Sequence, residues 1–208
     1  FLISYFTIFK IFWKIEIPRK AEFKLNNYKF SILKYLIIVS IGLELIYQPL
    51  FDLDKWIEFY VNGIIDFPKT NYSIDKTDLI YQISTVVLIA PILEELFFRK
   101  FLISKFLKKH NALTSLLISS FCFAIIHIET LYNLIPSLIF GILSGLIYLK
   151  TRKVFYSIFF HFLMNSYYFI FLVNAENYNN WINSLNFNYV YWSLIILGLI
   201  FTFVGMKK

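Results

Sequence analysis

The sequence predicts an all-α, polytopic transmembrane helical bundle, and three observations carry that prediction. First, the 208 residues are 59% hydrophobic and only 16% charged, with a mean hydropathy of +0.65. A soluble domain carries about a quarter charged residues, so a soluble enzyme, a disordered segment and a collagen-like rod are all disfavoured. Second, the apolar residues gather into six runs near the ~20 residues that span a bilayer as a helix, at 35–50, 79–98, 113–127, 134–149, 154–173 and 190–203. Third, the segments between the runs are alternately basic and non-basic, as the positive-inside tendency requires.

Taken in order, residues 1–34 form a basic N-terminal segment and residues 35–208 the bundle. The leading stretch 1–13 is apolar but short, fitting an interfacial helix or the stump of another span. Residue 1 is Phe, so the sequence is read as lacking its natural start, which leaves room for seven or more spans in the complete protein. Ahead of the first run stand seven lysines and arginines against two glutamates, and after it a loop dominated by Asp52, Asp54, Glu58, Asp66, Asp75 and Asp78. Arg99, Lys100, Lys105, Lys108 and Lys109 follow the second run, and residues 101–109 suit a helix at the membrane surface or a basic connector. Lys150, Arg152 and Lys153 precede the fifth run, and Lys207 and Lys208 end the chain. Both termini are thereby predicted in the cytoplasm. The net charge of +7 is assigned to this topology and not to nucleic acid. Cys122, the single cysteine, has no partner for an internal disulfide. Asn71-Tyr72-Ser73 matches a glycosylation triplet that is common by chance.

The chemistry lies in the polar groups left inside the runs, because an ionisable residue within a membrane is costly and needs a partner or a task. In Pro91-Ile92-Leu93-Glu94-Glu95-Leu96-Phe97-Phe98-Arg99 the adjacent carboxylates point about 100° apart on a helix, whereas Glu95 and Arg99 share a face. Glu95 is then neutralised by Arg99 and Glu94 is left to act as a base. The bland alternative is that both glutamates merely solvate a helix end. His127 closes the third run with Phe123 one turn earlier, placed to dry and orient the imidazole. His161 and Asn165 are stacked on one face of the fifth run and suit the stabilisation of an oxyanion, or plain hydrogen bonding between helices. His110 lies in the basic connector and is read as solvated. Glu44 is isolated, and Gly141 with Gly145 form a small-xxx-small packing face.

Pooled, these groups describe a hydrolase in which Glu94 and His127 activate water while His161 and Asn165 hold the developing negative charge. No covalent nucleophile is evident, since Cys122 and Ser120 sit at unsuitable helical offsets from His127. Two histidines and two glutamates could also ligate zinc, although no H-E-x-x-H motif is present. A transporter or bacteriocin-immunity protein would use the same groups for ion transfer or helix pairing. One difficulty is geometric: straight, upright helices put Glu94 about 6 Å and His127 about 20 Å from the cytoplasmic ends. A tilt, a kink at Pro91, or a third helix that starts outside the lipid is needed to bring them together.

The ordered motifs Glu94-Glu95-x-x-x-Arg99, Phe123-x-x-x-His127 and His161-x-x-x-Asn165, with Phe140-Gly141 through Gly145 and the Lys150-Thr151-Arg152 turn, resemble the CAAX protease and bacteriocin-processing (Abi) family of intramembrane glutamic endopeptidases. The resemblance covers residues 80–165. It implies a CAAX-protease-like bundle and an endopeptidase acting on membrane-associated proteins or peptides. The positions matched by Glu94 and His127 activate water, those matched by His161 and Asn165 form the oxyanion hole, and those matched by Glu95 and Arg99 support the site. The glutamate mechanism implies no cofactor, with zinc the alternative, and partners limited to membrane lipids and the substrate. A bacterial cell membrane is the implied location.

Overall fold

The computed structural model describes residues 29–51, 53–63, 76–128 and 131–207, and among these all regular structure is helical. The 1–13 stretch, the glycosylation triplet and most of the 1–34 segment lie outside the described residues. Helix α1 runs Ser31–Phe51 and α2 Leu53–Asn62. Helix α3 is one continuous rod of five segments: α-helical Lys76–Gln82, π-helical Ile83–Ile89, α-helical Ala90–Glu95, π-helical Leu96–Ile103 and α-helical Ser104–Phe106. Then follow α4 (Ala112–Ile126), α5 (Leu131–Thr151), α6 (Val154–Val173), α7 (Ala175–Ser184) and α8 (Tyr189–Lys207).

The chain is an all-α, membrane-embedded protein with at least three apolar spans. By length and composition, Asn133–Thr151, Val154–Val173 and Tyr189–Lys207 can cross a bilayer. Helix α4 is equally apolar but has only 15 residues, about 22 Å of helix against ~30 Å of hydrocarbon. Helix α8 leaves Ile196, Leu199, Ile200 and Phe203 mostly exposed, an outward apolar face suited to lipid.

Local chemistry sets the helix ends. Asn111 caps α4, its side-chain oxygen accepting from Thr114 N–H at 2.8 Å. Between α5 and α6, Arg152 adopts a left-handed conformation (φ 55°), and its N–H donates to Tyr148 O at 2.7 Å, closing α5 as a C-terminal turn does. The basic stretch after the second run is not a separate surface helix. Helix α3 continues through it to Phe106, because Ile103 is a fully buried core residue packed with Leu116, Tyr148 and Val154. Only Leu107 to His110 turn, and His110 is exposed as expected.

Two close helix contacts hold the bundle. Gly141 of α5 lies against Ser120 of α4, where an added Cβ would sit 3.1 Å from Ser120 Cα, and Gly145 faces Leu116 and Ile103. The expected small-residue face is therefore a packing face. Helices α1 and α8 make the most extensive pairing. There an added Cβ on Gly42 would lie 2.7 Å from Gly198 O, and one on Gly198 would lie 2.7 Å from Gly42 O. Around the middle of α3 to α6, Phe98 packs on Phe123 (5.2 Å between centroids, 78°) and Phe140 stacks on Phe160 (5.4 Å, 7°). At the end away from the lysine-rich turns, α2, α7 and the start of α8 meet through Phe59, Ile182, Phe187 and Tyr191.

Backbone-to-backbone approach leaves no room at Gly42 or Gly198 for a branched side chain. Gly42→Val is expected to destabilise the protein by about 1–3 kcal/mol, lowering its unfolding temperature in detergent. Ile200→Val, on the outward face, is expected to stay within about 0.5 kcal/mol of the parent.

Candidate active site

The middle α-helical segment of α3, Ala90–Glu95, carries the two carboxylates between π-helical stretches on either side. Pro91 stands in the first turn of that segment, where a missing N–H is tolerated. Glu94 and Glu95 are 4% and 0% exposed, so neither solvates a helix end. Adjacent residues on a helix point in different directions, and the two find different surroundings.

Glu95 is held from three helices. Arg99, one turn on, places Nε 2.9 Å from Glu95 Oε2 and Nη2 3.4 Å from Oε1. Ser144 of α5 donates its hydroxyl to Oε2 at 2.6 Å and accepts from Arg99 Nε at 3.2 Å. His161 of α6 places Nδ1 3.0 Å from Oε1. The fully buried Arg99 also donates Nη1–H to Ser119 Oγ of α4 at 3.4 Å, and the Ser119 hydroxyl in turn donates to Phe98 O at 2.8 Å. The face of Phe123 covers the guanidinium, with Cζ 5.0 Å from the ring centroid, a cation–π contact in a dry setting.

Glu94 has no such support. Its Oε2 faces Nε2 of His127 at 3.5 Å and Nε2 of His161 at 3.9 Å, yet makes no direct hydrogen bond despite its burial. The two imidazoles are oriented from behind. His127 Nδ1 lies 2.8 Å from Phe123 O; a carbonyl only accepts, so Nδ1 carries a proton and Nε2 is the nitrogen turned toward Glu94. By the same reasoning, His161 gives its Nδ1–H to the Glu95 carboxylate. A neutral His161 therefore offers Glu94 an acceptor, and it becomes a donor at Nε2 only as the imidazolium. This qualifies the expectation of a neutral donor at that position. Phe123 stacks on His127 (4.2 Å, 24°), and Phe140 lies 4.6 Å from the His161 ring, fixing both planes.

The structure thus brings Glu94, Glu95, Arg99, His127 and His161 into one cluster from α3, α6 and the end of α4. The depth difficulty does not arise, since His127, just past the last turn of α4, meets Glu94. Asn165 lies one turn beyond His161, and its Nδ2 donates to Val86 O in the first π-helical stretch at 2.8 Å. One amide proton remains for another acceptor. Glu44 is not in the cluster; it lines a separate cavity of about 250 Å³ with Phe171, Trp181 and Tyr191. Sequence reasoning missed Ser119 and Ser144, which complete the donor set of the buried pair. Their only signal is that each is a hydroxyl in an apolar run, Ser144 inside the glycine face. Among the described residues, no group of three His, Cys, Asp or Glu side chains is arranged to hold a metal ion.

A buried ion pair is most costly when half of it is removed, about 3–5 kcal/mol, whereas replacing both partners by apolar groups is often tolerated. Arg99→Leu is accordingly expected to destabilise strongly, and Glu95→Leu combined with Arg99→Leu to recover much of the loss. A double-mutant cycle on thermal unfolding in detergent measures this.

Comparison with known proteins bears on the same residues. The family model described as Type II CAAX prenyl endopeptidase Rce1-like matches residues 76–167, which contain all of the cluster. A Bacillus subtilis (strain 168) protein named "Putative membrane peptidase YdiL" is 31% identical over 115 residues. That match covers 53% of this chain and 46% of the relative, so the matched chain spans about half of that protein's length. No solved structure matches significantly.

Proposed function

We infer that the chain belongs to the Rce1-like, CAAX-protease family of intramembrane peptidases, on the family-model match and the similar membrane peptidase, and we propose that it is an endopeptidase that hydrolyses peptide bonds of membrane-associated proteins or peptides. The observation that carries this reading is the contrast between the two glutamates: Glu95 is saturated with donors, while Glu94 Oε2 faces two imidazole nitrogens without a direct hydrogen bond. A water molecule that donates one proton to Glu94 Oε2 and is oriented by His127 Nε2 is a general-base arrangement. Glu94 takes the proton as the water oxygen attacks the scissile carbonyl. The resulting oxyanion is met by His161 in its imidazolium form, whose charge the Glu95 carboxylate offsets through Nδ1, and by the remaining amide proton of Asn165. Collapse of the tetrahedral intermediate expels the amine, which recovers the proton from Glu94. Ser119, Ser144 and Arg99 act as positioning residues, through Glu95.

Residues 35–208 form the transmembrane bundle on this reading, about six spans with the motif core at 80–165. Three spans meet the length and hydropathy of a crossing helix, and the reading takes α1, α3 and the shorter α4 as the others. The alternation of lysine-rich and lysine-poor segments supports a reading with both termini on the cytoplasmic side of a bacterial cell membrane.

The test compares the parent protein with Glu94→Gln in liposomes, reading cleavage of a membrane-peptide library by mass spectrometry, with and without a chelator. Loss of a general base costs about 10²–10⁴-fold. The expected result is a loss of cleavage of that order with folding retained, and no effect of the chelator. Unchanged cleavage by Glu94→Gln sinks the assignment. Abolition by chelator with rescue by zinc moves Glu94 and the histidines into a metal site, and absence of cleavage with proton- or substrate-dependent flux marks a transporter.

A further inference from the structure

The cavity that Glu44 lines lies at the end of the bundle away from the lysine-rich turns, where α6 ends and α8 begins, and the proposed chemistry does not use it. Glu44 is the one charged residue in its lining. An ionisable group on a membrane helix is costly without a partner, yet among the described residues none donates a hydrogen bond to Glu44 or pairs a cation with it. Tyr47, one turn on, gives its hydroxyl proton to Pro136 O at 2.9 Å. The oxygens of Glu44 are not among the sealed, unsatisfied polar atoms of the described residues, so the carboxylate reaches open space, and the open space that Glu44 lines is this cavity.

The rest of the lining is aromatic and aliphatic. Phe171 of α6, Tyr178 and Trp181 of α7 and Tyr191 of α8 supply the rings. Phe171 and Tyr178 lie 4.5 Å apart at 31°, and Tyr178 and Trp181 6.1 Å apart at 47°, so successive rings are inclined to one another as a curved wall. Tyr191 and Ile182 are buried and fixed in the apolar cluster around Phe187. A carboxylate from α1 thus meets aromatic rings from three other helices.

An uncharged apolar ligand would leave that carboxylate unpaired in a dry site. A hard metal ion calls for several oxygen ligands, whereas the lining offers a single carboxylate. An organic ammonium answers both halves of the site. Its positive charge pairs with the carboxylate, and its carbon substituents and diffuse charge suit aromatic rings, as in the cages that hold quaternary ammonium groups. We propose that this cavity binds an organic ammonium cation, its charge against Glu44 and its alkyl groups against Phe171, Tyr178, Trp181 and Tyr191. A free alkylammonium and the amino headgroup of a phospholipid share this chemistry.

The experiment dialyses the purified full chain, in a maltoside detergent, to equilibrium against radiolabelled choline. Competitors are unlabelled choline and its carbon isostere, in which a tert-butyl group replaces the trimethylammonium. Saturable binding that choline displaces and the isostere does not is expected. Glu44→Gln, which keeps the shape of the side chain and removes its charge, is expected to weaken binding about tenfold. Trp181→Leu is expected to weaken it about two- to fivefold. Glu176→Gln, on α7 but outside the lining, is expected to change it little. If Glu44→Gln unfolds the protein, Trp181→Leu is read against Glu176→Gln instead, and equal binding by those two variants overturns the proposal. A further arm adds phosphatidylcholine in mixed micelles: displacement of choline assigns the site to a lipid headgroup, and persistence of choline assigns it to a free cation. Absence of saturable binding, or binding unchanged in folded Glu44→Gln, overturns the proposal. Equal displacement by the isostere identifies a merely apolar pocket and overturns it as well.

Discussion

A carboxylate and a guanidinium without solvent exposure, Glu95 and Arg99, are the constraint on which the rest of the cluster depends. Each ion gives up hydration worth several kcal/mol even after relaxation, and their mutual attraction offsets this only when the remaining donors and acceptors are satisfied. One helix cannot supply those partners. They arrive as Ser119 from α4, Ser144 from α5 and His161 from α6, so satisfying the pair requires α4, α5 and α6 to meet α3 in one register. The glycines of α5 serve the same requirement. Gly141 lets α5 approach Ser120 closely, which keeps Ser144, one turn along, within reach of α3.

Once Glu95 is fixed, the position of Glu94 follows from helix geometry. The next side chain on a helix is rotated by about 100°, and here that rotation carries it from the donor-rich side of α3 to the side facing two imidazoles. His161 touches both environments, giving one nitrogen to Glu95 and turning the other toward Glu94. His161 is therefore the side chain that links the Glu95 and Arg99 pair to Glu94.

The sequence made the polar inventory legible because the membrane setting makes it sparse. Glu94, Glu95, Arg99, His127 and His161 stand out against apolar neighbours, and the i,i+4 relation of Glu95 to Arg99 and of Phe123 to His127 appears in the fold as an ion pair and a ring stack. Serines were less visible, since a hydroxyl in an apolar helix most often bonds its own preceding carbonyl, as Ser166 does to Phe162. Only the packing of α4 and α5 on α3 shows that Ser119 and Ser144 serve Arg99 instead. Helices α2 and α7 escaped notice because they are short and lack a long apolar run. The tight α1 and α8 contact was hidden because Gly42 and Gly198 lie on different runs, and spacing within one helix says nothing about such a pair.

The π-helical stretches of α3 were also beyond a reading by periodicity, and they bear on how the cluster is built. A π turn widens the helix and shifts the faces of the residues after it, and such turns flank the Ala90–Glu95 segment on both sides. A rod of uniform α-helix would keep Val86, Glu94 and Arg99 in the fixed relation of 3.6 residues per turn. The observed rod instead directs the Val86 carbonyl to Asn165, Glu94 to the histidines and Arg99 to both serines. Irregular backbone within a membrane survives where neighbouring protein satisfies it. Here the donor to the Val86 carbonyl is Asn165, one turn from His161 on α6, so the departure from α-helical geometry and the polar cluster hold each other in place.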